Sequence, residues 1–150
     1  VTGSQKMKSS FDKALDIVLG LEGKVTTNDP RDPGGLTVWG LSKKYNPEVY
    51  DGMPESEIKD IYYRKYWQPA GCNEAEYPMD ICLFDGAVNP QDDPDMPFAG
   101  NQEILAQKPA DWKDFLFLRM VRYMKRSKKV YVLGHLQRII KLYKQLTSDA

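Results

Sequence analysis

Apolar residues recur every three or four positions over several stretches of the chain, which is the pattern of an amphipathic helix. The first stretch begins where Ser9 can cap a helix, and it ends at Glu22, just before Gly23. The second begins at Pro54 and ends near Pro69. The pattern predicts six helices in all, and the remaining four cover residues 78–89, 98–107, 111–126 and 129–146.

The pattern changes after the first helix. Two short β-prone pieces, residues 25–27 and 36–39, flank residues 28–35, which are rich in Asp, Pro and Gly. Such a segment is typical of a small β-hairpin or a wide turn. Residues 91–97, also rich in Asp and Pro, are predicted to form a loop. The predicted fold is therefore mainly α, with a small β-hairpin after the first helix.

Length and composition favour one globular domain, because the chain has 150 residues, 41% of them hydrophobic and 28% charged. We expect residues 11–146 to form this domain and residues 1–10 to be a tag or a disordered N-terminus. No apolar run reaches the length of a membrane span, and no signal peptide is recognisable. Cys72 and Cys82 are too few for a disulfide framework, so we expect two free, buried thiols.

The net charge of zero conceals an asymmetry along the chain. Residues 1–100 contain 10 Lys and Arg against 17 Asp and Glu, whereas residues 101–150 contain 11 against 4. The basic C-terminal third could face an anionic partner, such as nucleic acid or a polyanionic cell wall. It could also pack against the acidic part of the same domain. The sequence alone favours this second, intramolecular explanation.

Candidate chemistry is concentrated at the end of the first helix. Glu22 ends that helix, and Asp32 and Thr37 follow it on a segment stiffened by prolines. This set suits hydrolysis of a glycosidic bond, which needs a proton donor, a second carboxylate and a held water. Each residue also has an ordinary structural explanation: a solvated helix end, a turn that starts at Asp, and a strand threonine.

Other chemistries fit the sequence less well. His135 is the only histidine, and its apolar neighbours in the last helix favour a structural role over a Ser-His-Asp or Cys-His site. One histidine and two cysteines give no zinc-ligand spacing, so no metal or organic cofactor is expected. Aromatic residues such as Trp39 and Tyr66 could stack on sugar rings. Core packing is the favoured explanation for Tyr66 and for Tyr62.

One block of the sequence resembles a known family. Residues 22–23 are Glu-Gly, and residues 28–41 are Asn-Asp-Pro-Arg-Asp-Pro-Gly-Gly-Leu-Thr-Val-Trp-Gly-Leu. This block resembles the signature of glycoside hydrolase family 108, which consists of phage and bacterial N-acetylmuramidases, lysozyme-like endolysins. Residues 61–67, 83–89 and 134–139 resemble later blocks of the family, so the resemblance covers about residues 11–146.

The resemblance implies a lysozyme-like α+β domain. It implies a hydrolase that cleaves the β-1,4 bond between N-acetylmuramic acid and N-acetylglucosamine by general acid catalysis. The family's catalytic glutamate, aspartate and threonine correspond to Glu22, Asp32 and Thr37. The candidates for substrate binding are Asp29, Trp39, Asn89 and Tyr66.

The sequence departs from the family pattern at two places. Nine residues separate Glu22 from Asp32, one more than is usual in the family, while the usual four separate Asp32 from Thr37. After Asn89, the usual Ser-Gly is replaced by Pro-Gln and an acidic segment. The first departure concerns the distance between the two carboxylates, and the second concerns the choice of substrate.

The expected partner is bacterial peptidoglycan, bound by a monomer without nucleic acid and without a membrane span. The protein is expected to be made in the bacterial cytoplasm and to act in the periplasm or cell wall, as a bacteriolytic enzyme of phage or prophage origin or as a secretion-linked bacterial enzyme. Two alternatives remain open. One is a non-catalytic lysozyme-like module that binds peptidoglycan or a protein, and the other is a lytic transglycosylase.

Overall fold

The computed structural model of the chain describes residues 3–90 and 95–148, with side chains described from residue 10 onward. Residues 91–94, part of the predicted acidic loop, lie outside the described residues. The chain divides into two compact units, residues 1–65 and residues 66–150. The described part is mainly helical, with a small antiparallel sheet after the first helix, which confirms the predicted fold class.

The first unit contains two helices and the sheet. The strands pair in the order β1-β2-β3, with Thr27 opposite Thr37 and Val38 opposite Leu41. The helix after the sheet continues directly into a π-helical turn, Tyr63–Trp67. The elements are α1 (Gly3–Glu22), β1 (Thr26–Thr27), β2 (Thr37–Val38), β3 (Leu41–Ser42) and α2 (Glu55–Tyr62).

The first helix differs from its prediction at one end. α1 ends at Glu22 as predicted, but it begins at Gly3 and not at a cap formed by Ser9. Residues 5–8 are Gln-Lys-Met-Lys, all good helix formers, so the helix continues toward the N-terminus past the predicted cap. Ser9 could cap a helix, but the helix propensity of the residues before it extends α1 further toward the N-terminus.

The core of the first unit includes residues of both α1 and α2. Leu15 and Val18 of α1 are fully buried, and Ile58 and Ile61 of α2 are nearly so. The same two helices are joined at the surface by Lys59, whose ammonium lies 3.9 Å from a carboxylate oxygen of Asp12 on α1.

The second unit is helical in its described part. Its central helix is α3, in which every residue from Asp80 to Ala87 is buried. A helix that is apolar nearly all round belongs inside a bundle. The elements of this unit are a 3₁₀ turn (Cys72–Glu74), α3 (Met79–Val88), α4 (Ala99–Ala106), α5 (Trp112–Arg126) and α6 (Lys129–Ser148).

A buried charge cluster joins three of these helices. Asp85 of α3 is fully buried, and its two carboxylate oxygens bind Arg119 of α5 at 2.5 Å and Arg138 of α6 at 2.7 Å. Arg119 also donates to the hydroxyl of Tyr123 at 2.8 Å. Burial alone would raise the pKa of Asp85, but the two guanidinium groups hold that pKa at about 2.

The two cysteines are free and buried, which confirms the prediction made for them. Cys72 lies in the 3₁₀ turn and Cys82 in α3. Burial raises the pKa of both thiols above its usual range, so both remain protonated and unreactive at neutral pH.

Replacing Asp85 with Asn should strongly destabilise the protein, because Arg119 and Arg138 would then be buried without a counter-charge. The expected loss is about 3–5 kcal/mol of the free energy of unfolding. Because the folded-state pKa of Asp85 lies below its ordinary value of 3.8, its contribution is complete above that pH and is lost as the pH falls toward 2. Urea denaturation at several pH values measures both effects.

A matched control is Asp60→Asn, which breaks the exposed ion pair of Asp60 with Arg64 on one turn of helix. This variant should lose only about 0.3–0.5 kcal/mol. Equal losses for the Asp60 and Asp85 variants would contradict the central role of the buried cluster.

Candidate functional site

Glu22 is the last residue of α1, and a left-handed glycine follows it. Gly23 has a φ of 92°, and its N–H donates to the carbonyl of Leu19 at 2.8 Å, which ends the helix. Glycine adopts this conformation without strain, and the chain then turns into β1. The half-buried Glu22 side chain is thus held on a fixed helix end beside the sheet.

The loop between β2 and β3 has only two residues, Trp39 and Gly40. Both have positive φ, 48° and 86°, which is the conformation of a type I′ hairpin turn. A tryptophan in this region is strained and needs support from its surroundings. The support includes a hydrogen bond from the Trp39 N–H to the carbonyl of Val25 at 3.0 Å, and the ammonium of Lys24 lies 5.6 Å from the Trp39 ring centroid.

This turn lies directly against Glu22. A Cβ atom placed on Gly40 would be 3.2 Å from Oε2 of Glu22 and 2.9 Å from the hydroxyl oxygen of Tyr62. The hydroxyl of Tyr62, a buried residue of α2, donates to the Trp39 carbonyl at 2.5 Å. The Glu22 carboxylate, the Trp39–Gly40 turn and Tyr62 therefore form one packed group.

The segment between β1 and β2 is built from two consecutive turns that start at aspartates. Asp29 accepts a hydrogen bond from the N–H of Arg31 at 2.9 Å and forms an ion pair with the Arg31 side chain at 3.1 Å. These hydrogen bonds lower the pKa of Asp29. Asp32 accepts from the N–H of Gly34 at 2.8 Å. The side chain of Asp32 is exposed, so its position is fixed while its carboxylate remains accessible to water.

Thr37 begins β2 in the centre of the sheet. It pairs with Thr27 on one side and with Ser42 on the other, and its side chain is half-buried. The central strand of a three-stranded sheet is the most firmly held, because it is hydrogen-bonded to a strand on each side. The hydroxyl of Thr37 is therefore presented from a rigid position.

Two substrate-binding candidates, Asn89 and Tyr66, belong to the second unit. Asn89 caps the end of α3, where its N–H donates to the carbonyl of Asp85 at 2.9 Å. The hydroxyl of Tyr123 donates to the carbonyl of Asn89 at 2.9 Å, so the buried charge cluster also fixes Asn89. Tyr66 is half-buried in the π-helical turn. Tyr62 is fully buried, in agreement with the core role favoured for it.

His135 occupies a structural position in the second unit. Its Nδ1 atom lies 2.8 Å from the hydroxyl of Ser127, and its ring lies 4.5 Å from the ring of Tyr123. Burial and the nearby charges of Arg119 and Arg138 lower its pKa, which favours the neutral ring. Within residues 3–90 and 95–148, no group of three or more His, Cys, Asp or Glu side chains could hold a metal ion.

The packing of Gly40 against Glu22 and the hydrogen bond from Tyr62 to the Trp39 carbonyl were not predicted from the sequence. Gly40, directly after the β-prone piece 36–39, is a signal for a tight turn at this place, because two-residue hairpin turns need positive φ. No comparable signal assigns Tyr62 to that turn. Its spacing on the apolar face of α2 indicates only that it is buried.

The sequence profile of glycosyl hydrolase family 108 matches residues 15–90, just over half of the chain. The chain belongs to glycosyl hydrolase family 108. The matched segment contains Glu22, Asp32 and Thr37. Membership implies an enzyme that degrades peptidoglycan. No curated protein sequence matches the chain significantly.

The fold has a relative among solved structures. The structure of SagA from Brucella abortus superposes with a TM-score of 0.71, and the match covers 94% of this chain and 95% of that chain. The sequences are 18% identical, so this likeness supports the shared fold alone. The shared fold extends over nearly the whole chain.

The prediction that Glu22 is the general acid can be tested by replacing Gly40 with Ala. Activity on peptidoglycan should fall by at least about tenfold, because a displaced general acid loses most of its typical ~10²–10⁴-fold contribution. The added methyl group would push against Glu22 and Tyr62, and left-handed backbone strain would add about 1–2 kcal/mol of destabilisation. The measurements are the initial rate of cell-wall clearing and the free energy of unfolding.

The matched control is Gly52→Ala. Gly52 has a similar φ of 83°, but a Cβ there would meet no atom within 4 Å. This variant should suffer the same backbone strain and keep its activity. If both variants lost activity in proportion to their stability, the contact between Gly40 and Glu22 would have no catalytic importance.

Proposed function

We propose that this family 108 protein is an N-acetylmuramidase that hydrolyses the β-1,4 bond between N-acetylmuramic acid and N-acetylglucosamine. The observation that carries the proposal is the placement of the Glu22 carboxylate. It is fixed on a helix end against the Trp39–Gly40 turn, within the segment that matches the family. A glycosidase needs one carboxyl group held in this way so that it can protonate the leaving oxygen.

In the proposed reaction, Glu22 donates its proton to the glycosidic oxygen as the bond to the anomeric carbon breaks. Positive charge then develops on the sugar ring, and Asp32 stabilises this charge or takes a proton from the attacking water. Thr37 positions that water, since a hydroxyl both donates and accepts a hydrogen bond. The exposed Asp32 and the strand position of Thr37 support these roles.

Substrate binding is proposed for four further residues. Trp39 offers a half-buried ring on the turn beside Glu22, which suits stacking on a sugar face. Asp29 is ionised and can accept hydrogen bonds from sugar hydroxyls. For Asn89 and Tyr66, in the second unit, substrate binding is proposed on the family resemblance alone. We propose that the enzyme acts as a monomer in the periplasm or cell wall.

Glu22→Gln should abolish wall cleavage and keep the fold, because the amide has nearly the same shape and cannot donate the required proton. General acid assistance is typically worth ~10²–10⁴-fold in rate. Turbidity loss of purified peptidoglycan measures the rate. The control is Glu55→Gln at the exposed start of α2, which should clear the wall at the normal rate. Residual activity of the Glu22 variant above a tenth would remove Glu22 from the acid role.

Mass analysis of the released fragments separates the proposal from its alternatives. Reducing ends indicate hydrolysis, whereas anhydro ends indicate a lytic transglycosylase. Tight binding of peptidoglycan without any released fragment indicates a non-catalytic module. Only the first result agrees with the proposal.

The anomeric form of the product is expected to be inverted. An inverting glycosidase keeps its carboxyl groups about 6.5–9.5 Å apart to admit a water, and a retaining one keeps them about 5–5.5 Å apart. The additional residue between Glu22 and Asp32 and the presence of Thr37 favour the wider arrangement. Proton NMR of the first-formed product should show the α anomer, and an initial β anomer would exclude the water-held mechanism.

A further inference from the structure

The two last helices and their connection, which we call the α5–α6 hairpin, contain most of the basic charge of the second unit. Residues 112–148 include ten Lys and Arg and a single acidic residue, Asp114. The arginines are used internally, because every one of the four pairs with a carboxylate of the same unit. The pairs are Arg119 and Arg138 with Asp85, and Arg122 and Arg126 with Glu103.

The lysines of the same hairpin are arranged differently. All six are exposed, and none forms an ion pair with a residue in the described part of the chain. The fold therefore neutralises its arginines and leaves its lysines to the solvent. These lysines are Lys113, Lys125, Lys128, Lys129, Lys141 and Lys144.

Large apolar side chains are exposed on the same hairpin. Phe117 and Met124 of α5 are 58% and 63% exposed, and Val130 and Leu133 of α6 are 78% and 66% exposed. Single exposed apolar residues are common on protein surfaces, but a contiguous group is not. We call this group the outer face, and it consists of Phe117, Val121, Met124, Val130, Leu133 and Ile140.

These residues lie on one side of the hairpin. Arg119 and Arg138 both reach the buried Asp85, so the sides of α5 and α6 that carry them face inward. Phe117 and Ile140 are each two positions from these arginines, which is a little over half a helical turn. They therefore point away from Asp85, toward the solvent.

The exposed stripes of the two helices also lie side by side. Ring contacts of Tyr123 with His135 at 4.5 Å and of Trp112 with Tyr143 at 5.8 Å show that α5 and α6 run antiparallel. In this register, Met124 is level with Leu133, and Phe117 is level with Ile140. The outer face is therefore a continuous apolar surface across two helices, with exposed lysines at its ends and edges.

We propose that the outer face binds the surface of an anionic lipid bilayer. Such a surface offers negative headgroups to the lysines and hydrocarbon to the apolar side chains, which is the chemistry of interfacial amphipathic helices. A second copy of the chain would bring six lysines against six lysines. An anionic glycan would satisfy the lysines and leave the apolar residues in water.

This property goes beyond the proposed hydrolysis, because it concerns a different surface and a different ligand. It describes attachment to a membrane surface and not insertion through it. Among the described helices, none is long and apolar enough to cross a bilayer.

Flotation of the whole protein with lipid vesicles tests the proposal. The protein should float with vesicles of phosphatidylcholine mixed with phosphatidylglycerol, and it should not float with phosphatidylcholine alone. Added salt should weaken the binding, because the lysines lie at the surface. Size-exclusion chromatography without vesicles should show a monomer.

Two pairs of variants test the outer face itself. Met124→Ser should weaken vesicle binding, and Phe117→Ser with Met124→Ser should weaken it about tenfold or more, because the buried apolar area is lost. The matched control is Met96→Ser, since Met96 is 61% exposed outside the hairpin.

The second pair of variants tests the charge. Neutralising Lys125 and Lys128 with Gln should weaken vesicle binding about fivefold for each lysine, whereas Lys44→Gln should have no effect.

Several results would overturn the proposal. Equal binding to neutral and anionic vesicles would exclude an electrostatic lipid surface. Equal losses for the Met124 and Met96 variants would exclude the outer face. A dimer that the Phe117 and Met124 substitutions dissociate would identify a self-interface, and binding to peptidoglycan sacculi without binding to vesicles would identify a wall polymer. Rates of glycan hydrolysis, measured in parallel, test the enzymatic proposal independently.

Discussion

The ion cluster at Asp85 determines the arrangement of the second unit. A fully buried carboxylate costs several kcal/mol unless its charge is compensated, and the compensation comes from Arg119 and Arg138 on two different helices. α5 and α6 can satisfy Asp85 only when their arginine-bearing sides face α3. That constraint fixes Asn89 through Tyr123, and it also decides which side of the α5–α6 hairpin faces the solvent.

In the first unit, left-handed backbone conformations position the candidate catalytic residue Glu22. A left-handed Gly23 ends α1 at Glu22, and the left-handed Trp39–Gly40 turn returns the chain to the same carboxylate. Trp39 is strained in this turn, and the buried hydroxyl of Tyr62 helps to hold it. Strain that is supported from several sides is common at functional sites, because it fixes groups in positions that a relaxed chain would not keep.

The charge asymmetry of the sequence has two physical origins. Two arginines of the hairpin support the intramolecular explanation favoured from the sequence, because Arg119 and Arg138 bind Asp85 of the acidic part. Arg122 and Arg126 instead bind Glu103, which belongs to the basic third itself. The lysines of the hairpin do not support the intramolecular explanation, because none of them forms an ion pair with a residue in the described part of the chain. This difference between arginines and lysines agrees with their chemistry. A planar guanidinium suits bidentate pairs with buried carboxylates, whereas a strongly hydrated ammonium suits the surface.

The sequence by itself determined the helices after α1, two of the three strands and the family, because these depend on local periodicity, on turn-forming residues and on a contiguous motif. It also identified Glu22 as the residue at a helix end. The early start of α1 was missed because a cap motif permits a start without enforcing one. Only the tertiary structure decided what surrounds Glu22 and what faces the solvent. The packing of Gly40 against Glu22, the hydrogen bond from Tyr62 to Trp39 and the two arginines on Asp85 join residues far apart in the chain. Such pairings depend on how helices pack, which no local pattern records.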